Sequence, residues 1–77
     1  MRLKVYYYGI FSKIVGKQSE IIEFDGKNLN QLKDFLLKIY PGMAGTSPII
    51  SVNFRTLNDI ELKENDEIIV MAPGPGG

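Results

Sequence analysis

The stretch Glu67-Ile68-Ile69-Val70-Met71 constrains the fold of this chain more than any other. Read with a period of two, it places Ile68 and Val70 on one face of a strand and Ile69 and Met71 on the other, so both faces are apolar. A strand with one wet face alternates apolar and polar residues, whereas a strand apolar on both faces belongs in the interior of a sheet. The last strand is therefore predicted to be central. The simplest neighbour for it is the first strand, and a connection as long as the intervening chain makes that pair parallel.

The remaining elements follow from local pattern. Arg2 to Tyr8 alternates, with Leu3, Val5 and Tyr7 opposite Arg2, Lys4, Tyr6 and Tyr8, which reads as the first strand. Phe11, Ile14 and Val15 fit a short helical turn closed by Gly16. Ser19 to Phe24 reads as a second strand with Ile22 and Phe24 inward, and Asp25-Gly26 as the turn after it. Asn28 to Tyr40 is the one clear helix, with an apolar stripe of Leu29, Leu32, Phe35, Leu36 and Ile39. Asn28 and Gln31 form a capping-box-like pair at its start, and Pro41-Gly42 stops it. Met43 to Ser47 reads as a loop, Ile49 to Phe54 as a third alternating strand, and Glu64-Asn65-Asp66 as a tight turn, since asparagine tolerates the left-handed region. Strand, strand, helix, strand, strand predicts an α+β domain with one sheet covered on one face by the helix.

Composition removes several classes of function. Seventy-seven residues hold one domain. Cysteine and histidine are both absent, which leaves no ligand set for zinc, haem or iron–sulfur groups and no Cys/His or Ser/His nucleophile. Nine basic residues balance nine acidic ones, so the basic excess of a nucleic-acid binder is missing. The three consecutive tyrosines Tyr6, Tyr7 and Tyr8 therefore read as half-buried strand aromatics rather than a base-stacking surface. No apolar run is long enough for a membrane span, and a cytoplasmic location is the default expectation. Asp66 and Glu67, the carboxylates nearest the C-terminal segment, are expected to serve the turn and the start of the strand rather than acid–base chemistry.

After the last strand comes Ala72-Pro73-Gly74-Pro75-Gly76-Gly77. Pro73 and Pro75 fix φ and remove backbone donors, so this segment cannot join a sheet ladder and should stand off the domain. Gly76 and Gly77 have no Cβ, which lets their backbone enter a narrow slot. From Pro73 to Gly77 the reach at full extension is roughly 17 Å. The division expected is a domain over residues 1–72 and an extended, flexible tail over 73–77, with the α-carboxylate of Gly77 as the reactive group.

These residues resemble a known family. Val5-Tyr6-Tyr7-Tyr8-Gly9-Ile10-Phe11 with Ile14-Val15-Gly16 is similar to the first strand and "ReLvG" helix of the small sulfur-carrier proteins of the ubiquitin-like β-grasp superfamily. Asn28-Leu29 with Leu32 matches their "TVxxL" helix start, and Val52-Asn53 their "VN". The block from Leu62 to Pro73 is similar to "LxdGDEVxxxPP", and the terminal Gly76-Gly77 follows it at the family's distance. The resemblance covers essentially the whole chain and is closest to the small subunit of molybdopterin synthase; the thiamine sulfur carrier and ubiquitin-related modifiers share the fold and the Gly-Gly. Asn65 stands in place of the turn glycine, and Ala72 and Gly74 depart from the "PPVxGG" tail.

The resemblance implies a ubiquitin-like β-grasp fold with a mixed sheet of four to five strands and one main helix across it. It implies a carrier rather than an enzyme: an ATP-dependent activating partner adenylates Gly77, a sulfur donor makes the thiocarboxylate, and the large synthase subunit uses that sulfur in building the molybdenum cofactor. Conjugation to proteins, and sulfur supply for thiamine or tRNA thiolation, are the alternatives through the same Gly77. The chain itself is expected to bind no cofactor, metal, nucleic acid or membrane. Its partner-binding residues are expected to be the tail, Pro73, Gly74, Pro75 and Gly76, together with exposed apolar side chains beside it, Ile69, Met71 and Phe54.

Overall fold

The computed structural model describes residues 1–53, 55 and 60–73. Four strands form one mixed sheet: β1 (Arg2–Tyr7), β2 (Ser19–Glu23), β3 (Ile49–Val52) and β4 (Glu67–Met71), in the spatial order β2-β1-β4-β3. β4 is central, parallel to β1 and antiparallel to β3, and β1 and β2 pair antiparallel. This is the predicted arrangement, and its cause is the two-sided apolar pattern of β4.

Leu3, Val5 and Tyr7 of β1, Ile68 and Val70 of β4, and Ile50 and Val52 of β3 point to one face and are buried. Across that face lies helix α2 (Leu29–Ile39), which buries Leu29, Leu32 and Leu36. Its start is held as predicted: the Gln31 amide donates to Oδ1 of Asn28, and Oε1 of Gln31 accepts from the Asn28 amide. The stripe is narrower than its pattern suggests, because Ile39 in the last turn is 42% exposed. Helix α1 (Ile10–Val15) adds Phe11 to the core and ends on Gly16 with φ 85°, a left-handed closure that glycine adopts freely.

Two segments differ from the sequence reading. The loop after α2 is a 3-10 helix over Pro41–Thr46 that buries Met43 completely. Small residues around one long apolar side chain let the backbone coil tightly while the methionine plugs the space beside α2. The third strand stops at Val52 instead of Phe54. Val52 and Arg55 exchange two backbone hydrogen bonds at 2.8 and 2.9 Å, and Asn53 sits at φ 49°, so the chain has already turned. Phe54 itself lies outside the described residues.

Asn65 has φ 69° and its amide donates to the Arg2 carbonyl at 2.8 Å, which ties the turn before β4 to the start of β1. Asp66 closes the same turn by accepting from the Lys63 amide at 2.8 Å. No helix among the described residues is long and apolar enough to cross a membrane.

Candidate functional site

The segment ending in Gly77 leaves from the far end of the central strand, so the site is built around Met71, Ala72 and Pro73. The parallel ladder pairs Tyr7 with Val70, and one step further the Tyr8 amide donates to the Val70 carbonyl at 3.0 Å. That bond fixes the junction between β1 and α1 against the base of the tail. Pro73 is exposed, in a bend directly after the strand.

The sheet face opposite α2 carries the outward residues in rungs. Tyr6 pairs with Ile69 and Ser51 pairs with Ile69 from the other side; Ile49 pairs with Met71. Near the tail this face is therefore apolar. At the other end of the strands it is charged: Lys4 pairs with Glu67, and Arg2 lies 3.5 Å from Glu23. Asn53 Nδ2 donates to Asp66 at 3.0 Å, and Tyr6 Oη donates to Glu67 at 3.4 Å. Asp66 and Glu67 are thus engaged in the turn and the strand start, roughly 13 Å from Met71 along the strand.

The predicted partner-binding residues divide. Met71 is half-buried on the outward face beside the tail, and Pro73 is exposed. Ile69 was expected to be exposed and is only 4% so. It occupies the middle of the outward face, with Tyr6 and Ser51 opposite it in register on either side, and a central position on a central strand leaves no free edge. Phe54, Gly74, Pro75, Gly76 and Gly77 lie outside the described residues.

Two features escaped the sequence reading. The tyrosines are not equivalent: Tyr7 is buried, Tyr6 half-buried, and Tyr8 is 52% exposed, with Ile10 beside it at 49%. The signal was Gly9, which at φ 59° turns the chain out of β1 and leaves large side chains before and after it without cover. The second feature is Glu20. Its Oε2 accepts from Tyr7 and from Tyr40, each at 2.6 Å, and its Oε1 accepts from Lys17 Nζ at 3.0 Å. Burial pushes the Glu20 carboxyl up, but hydrogen bonds from Tyr40, Tyr7 and Lys17, with the Lys17 charge, outweigh it and hold it below the usual carboxylate range. Burial, and then the hydrogen bond to Glu20, raises both tyrosines. Its strand parity was the clue, since position 20 shares its face with inward Ile22.

Among the described residues no group of three or more acidic side chains is placed to hold a metal ion.

Comparison with solved structures identifies the fold. A Pyrococcus furiosus protein named for molybdopterin converting factor, subunit 1, matches at a TM-score of 0.87 with 26% identity, over 96% of this chain and 99% of its own. By fold, this chain is similar to ubiquitin-like proteins of the molybdopterin converting factor subunit 1 type. SAMP1 of Haloferax volcanii, a small archaeal modifier protein, matches over the full length of both chains at a TM-score of 0.80 and 13% identity. Subunit 1 and 2 of the Helicobacter pylori molybdopterin-converting factor form a complex that matches at 0.68 and 21% identity, over the full length of both chains. No protein-family model and no curated protein matches the sequence.

Proposed function

We propose that this ubiquitin-like chain is a sulfur carrier that works through the carboxylate of Gly77, as the small subunit of molybdopterin synthase. The observation that carries the reading is a Gly-Gly end placed six residues after the central strand of this fold, on a chain without cysteine. A carboxylate resists nucleophilic attack. It is activated when its oxygen attacks the α-phosphorus of ATP, expelling pyrophosphate and leaving an acyl-adenylate. A sulfide nucleophile then attacks the acyl carbon and AMP departs, which leaves a thiocarboxylate.

ATP and the catalytic groups belong to an activating partner and to the large synthase subunit. This chain supplies position: a rigid strand end, a segment of up to roughly 17 Å from Pro73, and no Cβ at the last two residues. The Helicobacter pylori complex of subunits 1 and 2 supports the large-subunit partner. A cytoplasmic location goes with this reading.

A second reading has its own observation. The match to SAMP1 at a TM-score of 0.80 favours a protein modifier joined through Gly77 to lysines of its targets. Sulfur supply for thiamine or for tRNA thiolation would use the same carboxylate. The intact mass after incubation with activating enzyme, ATP and sulfide separates these. Replacement of one oxygen by sulfur, absent when Gly77 is deleted, supports the carrier; covalent adducts with other proteins and no sulfur gain support the modifier.

A further inference from the structure

β2 is an edge strand with an open outer rim. The Met1 amino group donates to the Phe24 carbonyl, the Phe24 amide to the Met1 carbonyl, and the Tyr7 amide to the Gln18 carbonyl. The even-numbered residues of this strand therefore turn their backbone groups toward β1. By alternation, the amides and carbonyls of Ser19, Ile21 and Glu23 point away from the sheet, and no backbone outside β1 pairs with them among the described residues. Open edges are normally blunted by a bulge, a proline or a free charge. β2 pairs with β1 without a bulge and contains no proline, and its inward Glu20 is already committed to Tyr7, Tyr40 and Lys17. The opposite edge differs, because Arg55 takes the backbone groups of Val52 at the end of β3. At the centre of the open edge Ile21 is 63% exposed, more than any other large apolar side chain among the described residues.

We propose that this edge pairs with the same edge of a second copy of the chain, antiparallel about a two-fold axis at Ile21, so that two sheets become one continuous sheet. The sequence selects this occupant because it is complementary to itself in that register. Ile21 lies against its own copy as a hydrogen-bonded pair, Ser19 against Glu23, and Glu20 against Ile22; beyond them Lys17 falls opposite Asp25 at each end. Lys17 and Asp25 are both exposed, so each end gains a pair of opposite charges. Every residue from Gln18 to Phe24 then has a partner. Moving the axis to Glu20 sets Ile21 against Ser19 and Glu20 against Glu20, whose like charges repel. Moving it to Ile22 sets Ile21 against Glu23 and Lys17 against Lys27. β4, which leads to the tail, lies two strands in from this edge, so the joint is away from it. The proposal does not depend on the chemistry at Gly77. An edge pairing around one exposed isoleucine is a small interface of the transient class, so the dimer forms at high protein concentration.

The test is sedimentation of the full chain over a concentration series up to about 1 mM, the range in which so small an interface still associates. The average mass should rise toward that of a dimer. Ile21→Lys should remain monomeric throughout while keeping its circular dichroism spectrum, since the side chain it replaces is largely in solvent. The register is read by cross-linking, which the absence of native cysteine makes clean. A hydrogen-bonded antiparallel pair holds its Cα atoms about 5.5 Å apart, within disulfide reach. Ile21→Cys should therefore oxidise to a covalent dimer at least tenfold faster than Glu23→Cys, whose two copies are about 14 Å apart along the strands. A chain that stays monomeric across the series, a dimer that survives Ile21→Lys, or equal oxidation rates in the two cysteine variants overturns the proposal. Monomeric behaviour together with weaker binding of the large synthase subunit by Ile21→Lys overturns it as well, and gives the edge to that partner.

Discussion

The Tyr7 hydroxyl donates to Oε2 of Glu20 at 2.6 Å from within the core, and Tyr40 at the end of α2 donates to the same oxygen at 2.6 Å. The two rings also meet edge to face, with centroids 6.0 Å apart. One carboxylate thus joins β1, β2 and the end of the covering helix. Glu20→Ala should strip the Tyr7 and Tyr40 hydroxyls of the carboxylate they share, and that costs about 2 kcal/mol. For a domain of this size the melting temperature should fall by about 8–16 °C. Glu20→Gln keeps an acceptor and should lose about half as much. A thermal melt of the three proteins checks this, and equal stability of Glu20→Ala and the unsubstituted chain would refute the clamp.

The same network predicts a pH dependence. Glu20 titrates below its ordinary value in the folded chain, so the folded state holds this proton less tightly than the unfolded state. The carboxylate's contribution is then complete above the unfolded glutamate value of about 4.3 and is lost as pH falls through the lower folded value. The stability gap between the unsubstituted chain and Glu20→Gln should be constant from pH 8 to about pH 6 and should narrow in the acid range. Urea melts at stepped pH read it. A gap that widens on acidification would mean the carboxyl is raised rather than lowered.

Asn65 offers a cleaner backbone test, because its φ of 69° is set by the turn and its amide bonds to Arg2. A residue with Cβ but no local polar side chain costs about 1–2 kcal/mol in that conformation. Asn65→Ala should therefore destabilise by about 1 kcal/mol, and Asn65→Gly, which the resembling family carries at this turn, should be near neutral. If both substitutions destabilise equally, the Asn65 side chain matters more than its backbone.

How far the fold was legible depended on whether a pattern reports direction or environment. The apolar faces of Glu67 to Met71 gave a central strand, and centrality with one long crossover gave its parallel pairing to β1. Asn28 and Gln31 announced the start of α2 because capping is local. Ile39 misled because helical period tells which way a side chain points and not whether anything lies beneath the last turn. Ile69 misled in the opposite sense: as one of two apolar residues on the outward face it was read as surface, but a position between two partner strands is covered by their side chains. Tyr8 and Ile10 were passed over because a strand pattern continues smoothly into a residue that the glycine after it then exposes. Glu20 needed three elements brought together before its role existed, and no window of sequence contains them.

Ser51 gives an unusual expectation. Its hydroxyl is buried on the outward face, 2% exposed, with no hydrogen-bond partner among the described residues. Such a group costs about 1–3 kcal/mol, so Ser51→Ala should stabilise the domain by about 1 kcal/mol, read as a higher urea midpoint. A loss of stability would mean that the hydroxyl has a partner after all.

Ile69 and Met71 point to the same face two residues apart, yet they should behave differently. Ile69 is 4% exposed and filled in on both sides by Tyr6 and Ser51, so Ile69→Ala removes packed volume and should destabilise by about 2–4 kcal/mol. Any loss of partner affinity in that variant would follow from the damaged sheet. Met71 is half-buried at the end of the strand, where the tail begins and the side chain keeps solvent contact. Met71→Ala should cost under about 1 kcal/mol of stability, because a partly exposed terminal position leaves little cavity. If the outward face near the tail receives a partner, the same variant should weaken binding of the large synthase subunit severalfold in calorimetry. Stability intact with affinity reduced would place the partner on this face; affinity intact in folded Met71→Ala would show that recognition does not use the Met71 side chain.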